Sequence, residues 1–544
     1  MGDVGKQGVW ARRAMTFVVV GLGVLGVVLG VHSLLLPFGD DQGLYFYVAR
    51  EWRHGLVPYR DVFDHKPPGI YVVHRIAQSL FGESLASSKI VELGAVLALG
   101  LVATRLVVPR GRRVPRGLYA ASATLASLAH YGHFDFWNSY QTEIWYTLFG
   151  MAAIAAALHV KALRRAFFVF GLLASLGVLM KPMSVLYSGI GGLVLGWRVL
   201  YDGGRQGTHA RLMGAARSAL GLVPWAVLGA GLPLVLVVAY FGAHGAMGAM
   251  IDIVVHGNKH YAKAFKNVTT LADVVRLHRD ELTFLGVLGQ LVVVTTLARV
   301  ALGAMGRRRE LFLRGGLGLA LIVAASAAVT VQQKFFGVHW VTAFGPLTFG
   351  LVALVYEGRH ALEKRLGPAL ATALPVALIG AGYMCTPYDL RVLSREQGAV
   401  LDLVTGQATR EQFARRFYSP PMGYYQVDVD AVSAYLKAHA RPGDRVCVRG
   451  FDTQIYAQTG LRYGGRFFWT NYIWHPKSYR HHDFVAEDHA YFEKARPRFV
   501  VTEVQNRGRG MLESRETYYP LGYVEVMTTG SLDVLELHEL GASR

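Results

Sequence analysis

Residues 38–69 read FGDDQGLYFYVAREWRHGLVPYRDVFDHKPPG, a polar, charged and aromatic stretch that lies between two long apolar segments. Two adjacent carboxylates, Asp40 and Asp41, follow directly after the first apolar run. An acid at the mouth of a membrane helix is costly, and this makes it a candidate for function. The stretch therefore predicts an active-site loop on the outer face of a membrane, supported by the rest of the chain.

The composition indicates a membrane protein. Of the 544 residues, 52% are hydrophobic, and the mean hydropathy is +0.30. This is too apolar for an ordinary water-soluble chain. The net charge of +19 is also typical of nucleic-acid binding, but Lys and Arg cluster in short links between apolar runs, as they do in cytoplasmic membrane loops. We therefore expect a lipid bilayer and no nucleic acid as a partner.

The apolar runs predict an α-helical polytopic membrane protein with about eleven transmembrane helices. We place these spans at about 14–36, 86–108, 117–130 and 142–160, two within 166–200 that are split at Lys181, and then 219–243, 282–304, 315–331, 340–356 and 368–386. Basic residues before the first span put the N-terminus in the cytoplasm and loop 38–83 outside. Loop 244–281 should also be outside, although it is itself basic.

The domain organisation follows from a change in composition near residue 387. We predict a transmembrane catalytic domain over 1–386 and a soluble extracytoplasmic α/β domain over 387–544. In the second domain we expect a helix at Val429–Ala440 and a turn at 442–444. Strands are expected at Arg445–Val448, Phe499–Thr502 and Leu532–Leu537.

Loop 38–69 itself predicts two short amphipathic helices on the membrane surface. The first would turn its apolar side chains to one face and its charged side chains, Arg50, Glu51, Arg53 and His54, to the other. The second would start after Pro67 and Pro68.

The predicted topology brings acids and cations to one face of the membrane. These residues are Asp40, Asp41, Lys66, Asp135, Glu143, Lys181, Lys334 and His339. A carboxylate can accept a proton from an attacking hydroxyl or amine, and lysines can hold a phosphate leaving group as point charges. A phosphate carried by a lipid would sit at this depth.

Each of these residues also has a structural interpretation. Asp40 or Asp41 could N-cap the first surface helix, and Lys66 could extend its ammonium to the interface. Lys181-Pro182 could be a turn between spans, His339 an interfacial histidine, and Asp135 and Glu143 caps of the fourth span. The aromatic residues Tyr45, Trp52 and Tyr59 could be interfacial anchors instead of substrate contacts.

The outer loop resembles the first outer loop of the GT-C glycosyltransferases, and most closely the bacterial group similar to protein O-mannosyltransferases and aminoarabinose transferases (glycosyltransferase family 39-like). The motifs that carry the resemblance are Asp41-Gln-Gly-Leu-Tyr45, Pro58-Tyr59-Arg60-Asp61 and Lys66-Pro67-Pro68-Gly69. Gln42 stands where this group usually carries Glu. A weaker similarity to the outer domains of some bacterial members lies in Gly450-Phe-Asp-Thr-Gln-Ile-Tyr456.

The resemblance implies an enzyme that uses a polyprenyl-phosphate-linked sugar. Asp41 would be the general base, with Asp40 as a second catalytic candidate. The donor phosphate would contact Lys66, and Lys181, Lys334 and His339 are further candidates for this role. The remaining candidates for substrate binding are Tyr45, Tyr59, Asp135 and Glu143.

The sequence thus predicts a hexosyl- or pentosyltransferase of the cytoplasmic membrane that transfers a sugar to an acceptor on the outer side. The acceptor can be a glycan, a lipid or a protein. The alternatives are a lipid-linked-sugar flippase or transporter and an outer-face glycan ligase or polymerase. No cofactor is required, but Asp41, Glu143 and His339 include ligand types for a divalent metal, and some relatives use one while others do not.

Overall fold

The computed structural model of the chain describes residues 2–202, 208–266, 268, 270–420, 423–504 and 515–538. Within these ranges the side chains of 2–8, 40, 201–202, 208–219, 284, 387–391 and 393–394 are outside the description. The predicted catalytic candidate Asp40 therefore has a described backbone, and its side chain lies outside the described part.

The chain is mostly helical. The helices along the described residues are α1 (Gly2–Val31), α2 (Asp40–Arg53), α3 (Gly69–Phe81), α4 (Leu85–Val107), α5 (Leu118–Tyr131), α6 (Thr142–His159), α7 (Leu163–Met180), α8 (Val185–Asp202), α9 (Thr208–Ala243), α10 (Met247–Ile251), α11 (Asn258–Ala264), α12 (Leu271–Phe284), α13 (Gly286–Met305), α14 (Arg309–Gln332), α15 (Phe344–Met384), α16 (Pro387–Val404), α17 (Arg410–Ala414), α18 (Gln426–His439), α19 (Gln454–Thr459) and α20 (His481–Ala495). The strands are β1 (Tyr418–Ser419), β2 (Tyr424–Tyr425), β3 (Val446–Arg449), β4 (Phe499–Glu503), β5 (Tyr523–Thr528) and β6 (Leu532–Leu537).

Each predicted span is helical over most of its length, but the span predicted at 282–304 starts at the end of α12 and continues into α13. The division of 166–200 is confirmed, because Lys181 is extended (φ −162°, ψ 134°) between α7 and α8 and is followed by Pro182. A residue before proline disfavours the helical conformation, which explains the break. The division between the last two spans is a break at Gly367 (φ 72°) within α15.

In the described residues, eight helical segments are long and apolar enough to cross a membrane, and the chain is a multi-pass membrane protein. The helices α5 and α6 are not among these eight, and Gly337–Met384 counts as a single segment. The number of eleven crossings therefore stays a prediction, as does the domain boundary at residue 386.

By its contacts the chain forms two units. Unit 1 consists of residues 1–33, 91–237 and 267–394, and unit 2 consists of residues 34–90, 238–266 and 395–544. Unit 2 thus combines the outer loop with the C-terminal region, which the composition of the chain does not reveal.

In unit 1, a buried carboxylate holds the loop that follows α5. Glu92 accepts a hydrogen bond from His130 Nε2 at 3.3 Å and another from the backbone N–H of Tyr140. Glu92 and His130 are both fully buried. The two bonds connect α4 to both ends of the loop that carries Asp135.

In unit 2, the C-terminal region forms an α/β module with a four-stranded sheet in the order β3-β4-β6-β5. The strands β3 and β4 are parallel, and the other neighbours are antiparallel. The predicted helix at 429–440 and the three predicted strands are confirmed as α18, β3, β4 and β6. The sequence analysis missed the other elements of 387–544, which are α16, α17, α19, α20, β1, β2 and β5.

The helix α2 differs from the predicted surface helix. Arg50 and Glu51 were expected on a polar outer face, but their side chains are buried at 4% and 0% exposure. Arg50 donates hydrogen bonds to the carbonyl oxygens of Tyr456 and Leu461, each at 2.7 Å, and Glu51 accepts one from Arg462 Nε at 2.7 Å. Arg53 and His54 are exposed as predicted and pair with Glu83, so only the Arg50–Glu51 part of the charged face binds the C-terminal module.

Candidate active site

The first turn of α2 carries Asp41. The N-cap position of this helix is Gly39, so the alternative in which Asp40 or Asp41 is the N-cap residue is wrong. Two residues further on, a Cβ atom on Gly43 would lie 2.5 Å from Thr453 Oγ1 and 2.7 Å from the backbone N of Gln454. Because only glycine permits this approach, Gly43 fixes the turn that carries Asp41 against the start of α19.

Lys66 lies opposite Asp41. Its Nζ is 3.8 Å from Asp41 Oδ2, and the two side chains are 20% and 24% exposed. The ammonium is also 5.8 Å from the ring centroid of Tyr45, within cation–π range. The predicted base and the predicted phosphate contact therefore form a half-buried pair that solvent and a substrate can reach.

The backbone of Lys66 is held by tyrosines. Tyr59 donates a hydrogen bond from its hydroxyl to the carbonyl of Lys66 at 2.8 Å, and Tyr71 does so at 3.4 Å. Tyr59 itself has a left-handed backbone (φ 70°), which is uncommon for a residue other than glycine. Tyr45 and Tyr59 are both fully buried and pack against Lys66 from the protein interior. Their contact with substrate stays a prediction.

A second carboxylate, Asp64, lies beside the pair. It is 1% exposed and accepts hydrogen bonds from the hydroxyl of Tyr71 at 2.7 Å and the backbone N–H of His65 at 2.6 Å. Its pKa is raised to about 6, mainly by burial. The nearby charge of Lys66 acts to lower this pKa, and that of Asp41 acts to raise it. The sequence analysis gave Asp64 no role, and its position two residues before Lys66 was the available signal.

The loop between α2 and α3 is fixed by the C-terminal module. Phe63 N–H donates to the carbonyl of Arg466 at 2.8 Å, and Arg466 Nε donates to the carbonyl of Tyr59 at 2.9 Å. Trp469 Nε1 adds a hydrogen bond to the carbonyl of Phe63 at 3.2 Å. None of these partners was singled out from the sequence, because they lie about 400 residues away along the chain.

The helix α11 closes another side of the same site. Asn258 Nδ2 donates to the carbonyl of His65 at 2.6 Å, and the ring of Tyr261 is 5.2 Å from that of His65. Burial raises the pKa of Tyr261, Lys66 lowers it and Asp41 raises it further. This places the Tyr261 phenol within electrostatic range of both predicted site residues.

In unit 1, Glu143 and Lys181 form an ion pair. Glu143 lies in the first turn of α6 and is 1% exposed, and Lys181 is the C-cap of α7. Thr142 Oγ1 also donates to Glu143 Oε2 at 2.8 Å. Lys181 therefore has a turn position between two helices and a buried partner, and its contact with a donor phosphate stays a prediction.

The remaining predicted residues also lie in unit 1. Asp135 accepts hydrogen bonds from the backbone N–H and the Nδ2 of Asn138, at 3.3 and 2.9 Å, so it stabilises its own loop. Lys334 and His339 are buried at 6% and 7% exposure in and beside the 3₁₀ turn Gly337–Ala343. A Cβ atom on Gly337 would lie 3.2 Å from Asn138 Oδ1, so this turn is close to the Asp135 loop.

The structure thus brings Asp41 and Lys66 together in unit 2, and Glu143 and Lys181 together in unit 1. Within the described part of the chain, no group of three or more His, Cys, Asp or Glu side chains is arranged to hold a metal ion. The chemistry that the described geometry of unit 2 offers is a carboxylate base, a cation and a second, buried carboxylate.

Comparisons with known proteins identify the fold. No protein-family model matches the sequence, and no curated protein matches it either. Two solved structures of ArnT from Cupriavidus metallidurans are similar. The form bound to undecaprenyl phosphate has 14% identity and a TM-score of 0.52, over 96% of this chain and 98% of that chain. The apo form has 13% identity and a TM-score of 0.54, over 95% and 97%.

The archaeal oligosaccharyltransferase AglB from Archaeoglobus fulgidus, solved in complex with an inhibitory peptide and a dolichol-phosphate, has 14% identity and a TM-score of 0.42, over 97% of this chain and 75% of that chain. The conclusion on fold depends on ArnT, which matches almost the whole of both chains. The chain therefore has the GT-C fold of ArnT, as the resemblance at residues 38–69 implied.

Proposed function

We propose that this chain is a membrane glycosyltransferase that transfers a sugar from a polyprenyl-phosphate-linked donor to an acceptor on the outer side of the cytoplasmic membrane. The observation that carries the proposal is the Asp41–Lys66 pair at 3.8 Å, in a fold shared with an ArnT that binds undecaprenyl phosphate. Such a transfer releases a proton from the acceptor and creates a negative charge on the leaving phosphate. A base and a cation side by side can accept the proton and neutralise this charge.

The reaction balances on these two residues. The acceptor oxygen attacks the anomeric carbon of the donor sugar, and the bond from this carbon to the phosphate oxygen breaks. Asp41 takes the proton of the acceptor, and the leaving phosphate carries its new negative charge against Lys66. Attack opposite the phosphate inverts the anomeric configuration. In the resting site Lys66 is paired with Asp41, so the donor phosphate competes for this lysine when it binds.

Further roles in the proposed reaction are assigned to residues of unit 1. Lys181, Lys334 and His339 are proposed as further contacts to the donor phosphate, and Glu143 and Asp135 as further contacts to substrate. The sugar would be a hexose or a pentose. The N-terminus would be cytoplasmic and the C-terminal module extracytoplasmic, so that the outer loop meets the donor on the outer side.

The test is radiolabelled sugar transfer from a panel of synthetic polyprenyl-phosphate sugars, with purified protein and membrane extract as the source of acceptor. Label should appear on an acceptor with the wild type and be lost with Asp41→Asn. The matched control is Asp280→Asn, which removes a surface acid that is 55% exposed and should keep full transfer. Donor that crosses liposomes without covalent change, or full transfer by Asp41→Asn, would contradict the proposal.

A further inference from the structure

The segment after α9 breaks the charge pattern of the other predicted outer loops. This segment contains three closely spaced lysines, Lys259, Lys263 and Lys266, although outer loops usually carry few lysines. The catalytic proposal does not use these residues. A cationic cluster on this side therefore needs its own explanation.

The segment is helical over 247–264, since a π-helical turn at Asp252–Gly257 joins α10 to α11. Four of its exposed residues, Ile251, Val255, Lys259 and Lys263, are four positions apart and share one face, and exposed Lys266 follows just after the helix ends. The first half of this face is apolar, with Ile251 at 41% and Val255 at 54% exposure. The second half carries the three lysines, all exposed. We call this face the amphipathic face of segment 247–266.

Among the residues that the structure describes, the charge of this face has no acidic partner. Asp252, the acid of the segment, accepts hydrogen bonds from the hydroxyl of Tyr479 at 2.6 Å and from Arg480 at 3.0 Å. Among the described residues, no carboxylate lies within ion-pair distance of the three lysines. Another exposed cation is close, because the carbonyl of Lys477 bonds His260 Nε2 at 2.8 Å.

The opposite face of the segment packs against other residues of unit 2. Asn258 bonds the carbonyl of His65 at 2.6 Å, and Ile253 and Gly257 are buried. The segment also begins directly after the apolar span Leu220–Ala243. Interfacial helices lie at the depth of the lipid headgroups with their apolar face toward the acyl chains.

We propose that the amphipathic face of segment 247–266 binds anionic lipid headgroups of the bilayer. Ile251 and Val255 would enter the boundary between headgroups and acyl chains, as apolar residues of interfacial helices do. Lys259, Lys263 and Lys266 would contact the lipid phosphates. Each lysine near an anionic membrane surface strengthens the binding of this face to the membrane by about fivefold. A free anion would use the lysines alone, whereas a lipid also explains the apolar half of the face.

The test places a fluorophore on the apolar half. Val255→Cys in a Cys385→Ser background gives one reactive site, because Cys447 is buried. The labelled protein is reconstituted in nanodiscs of phosphatidylcholine, or of phosphatidylcholine with about one third phosphatidylglycerol. Both contain the same fraction of a neutral nitroxide-labelled lipid that quenches the fluorophore on contact. We expect at least about twofold more quenching in the anionic discs.

The lysines are tested by substitution. The Lys259→Gln, Lys263→Gln, Lys266→Gln variant should show the same quenching in both kinds of disc. The control Lys437→Gln removes an exposed lysine on α18 and should keep the difference. Equal quenching in both discs with the wild-type lysines would overturn the proposal, as would a lipid-dependent difference that persists in the triple variant. Millimolar inorganic phosphate that reproduces the effect in neutral discs would also overturn it, since the ligand would then be a free anion.

Discussion

The buried carboxylate Asp64 makes the stability of unit 2 depend on pH. Its pKa is about 6 in the folded protein, against an ordinary value of 3.8. A folded pKa above the unfolded one means that the contribution to stability is fully present below about pH 4 and is lost as the pH rises through about 6. A shift of about two units corresponds to roughly 3 kcal/mol.

The assay compares the unfolding free energy of the wild type with that of Asp64→Asn, from denaturant titrations in detergent between about pH 4 and pH 7.5. The asparagine keeps the size of the side chain and can still accept from Tyr71. Titrating groups that do not interact with Asp64 cancel in the difference between the two proteins. Relative to the variant, the wild type should lose about 3 kcal/mol as the pH rises over this range.

Asp61, in the same loop, provides a control, because its pKa is shifted in the opposite direction to that of Asp64. Burial acts to raise the pKa of Asp61, but the ion pair with Arg60 and the hydrogen bond from the N–H of Val57 lower it overall. The difference between the wild type and Asp61→Asn should therefore stay flat between about pH 5 and pH 7 and fall only at lower pH. A flat profile for Asp64→Asn, or one that rises with pH, would refute the conclusion that burial raises the pKa of Asp64.

Further predictions concern the supports of the site. Gly43→Ala would place its Cβ against Thr453 and should destabilise the protein by about 1–3 kcal/mol. Gly94→Ala, inside α4 with no atom within 4 Å of the new Cβ, should not lower the melting temperature, because alanine favours the helix. Lys181→Gln leaves the buried carboxylate of Glu143 unpaired and should cost about 3–5 kcal/mol. The double variant with Glu143→Gln should regain stability in a melting assay. Transfer activity that returns with it would contradict a direct role of Lys181 at the donor phosphate.

Local pattern was sufficient to predict most of the helices. The apolar runs and the basic links between them place α4, α6 and α13 within a few residues of their observed ends. The interruption at Lys181-Pro182 is also a local signal, because proline acts on the residue before it. The amphipathic helix α20 and the strand β5 escaped prediction, because their short apolar patterns depend on a sheet that forms only in the fold.

Long-range contacts were not predictable from the sequence. Arg50 and Glu51 have the pattern of a solvated helix face, but Glu51 is buried and pairs with Arg462, which lies 411 residues later and is partly exposed. Similarly, the burial of Asp64 depends on Tyr71 and on the packing of α2 and α3, so its sequence position alone gives no pKa. The Asp41–Lys66 pair was predictable as chemistry, because the residue types suit the reaction, but its distance was not.

The most direct test of the central claim is the division of roles between Asp41 and Lys66 in steady-state transfer from a polyprenyl-phosphate sugar. Asp41→Asn should lower kcat by about a hundredfold or more, as expected for loss of a general base, and leave the KM for donor within a few fold. Lys66→Gln should raise the KM for donor as well as lower kcat, because the phosphate loses its cation. A normal kcat in Asp41→Asn, or an unchanged KM for donor in Lys66→Gln, would contradict the account.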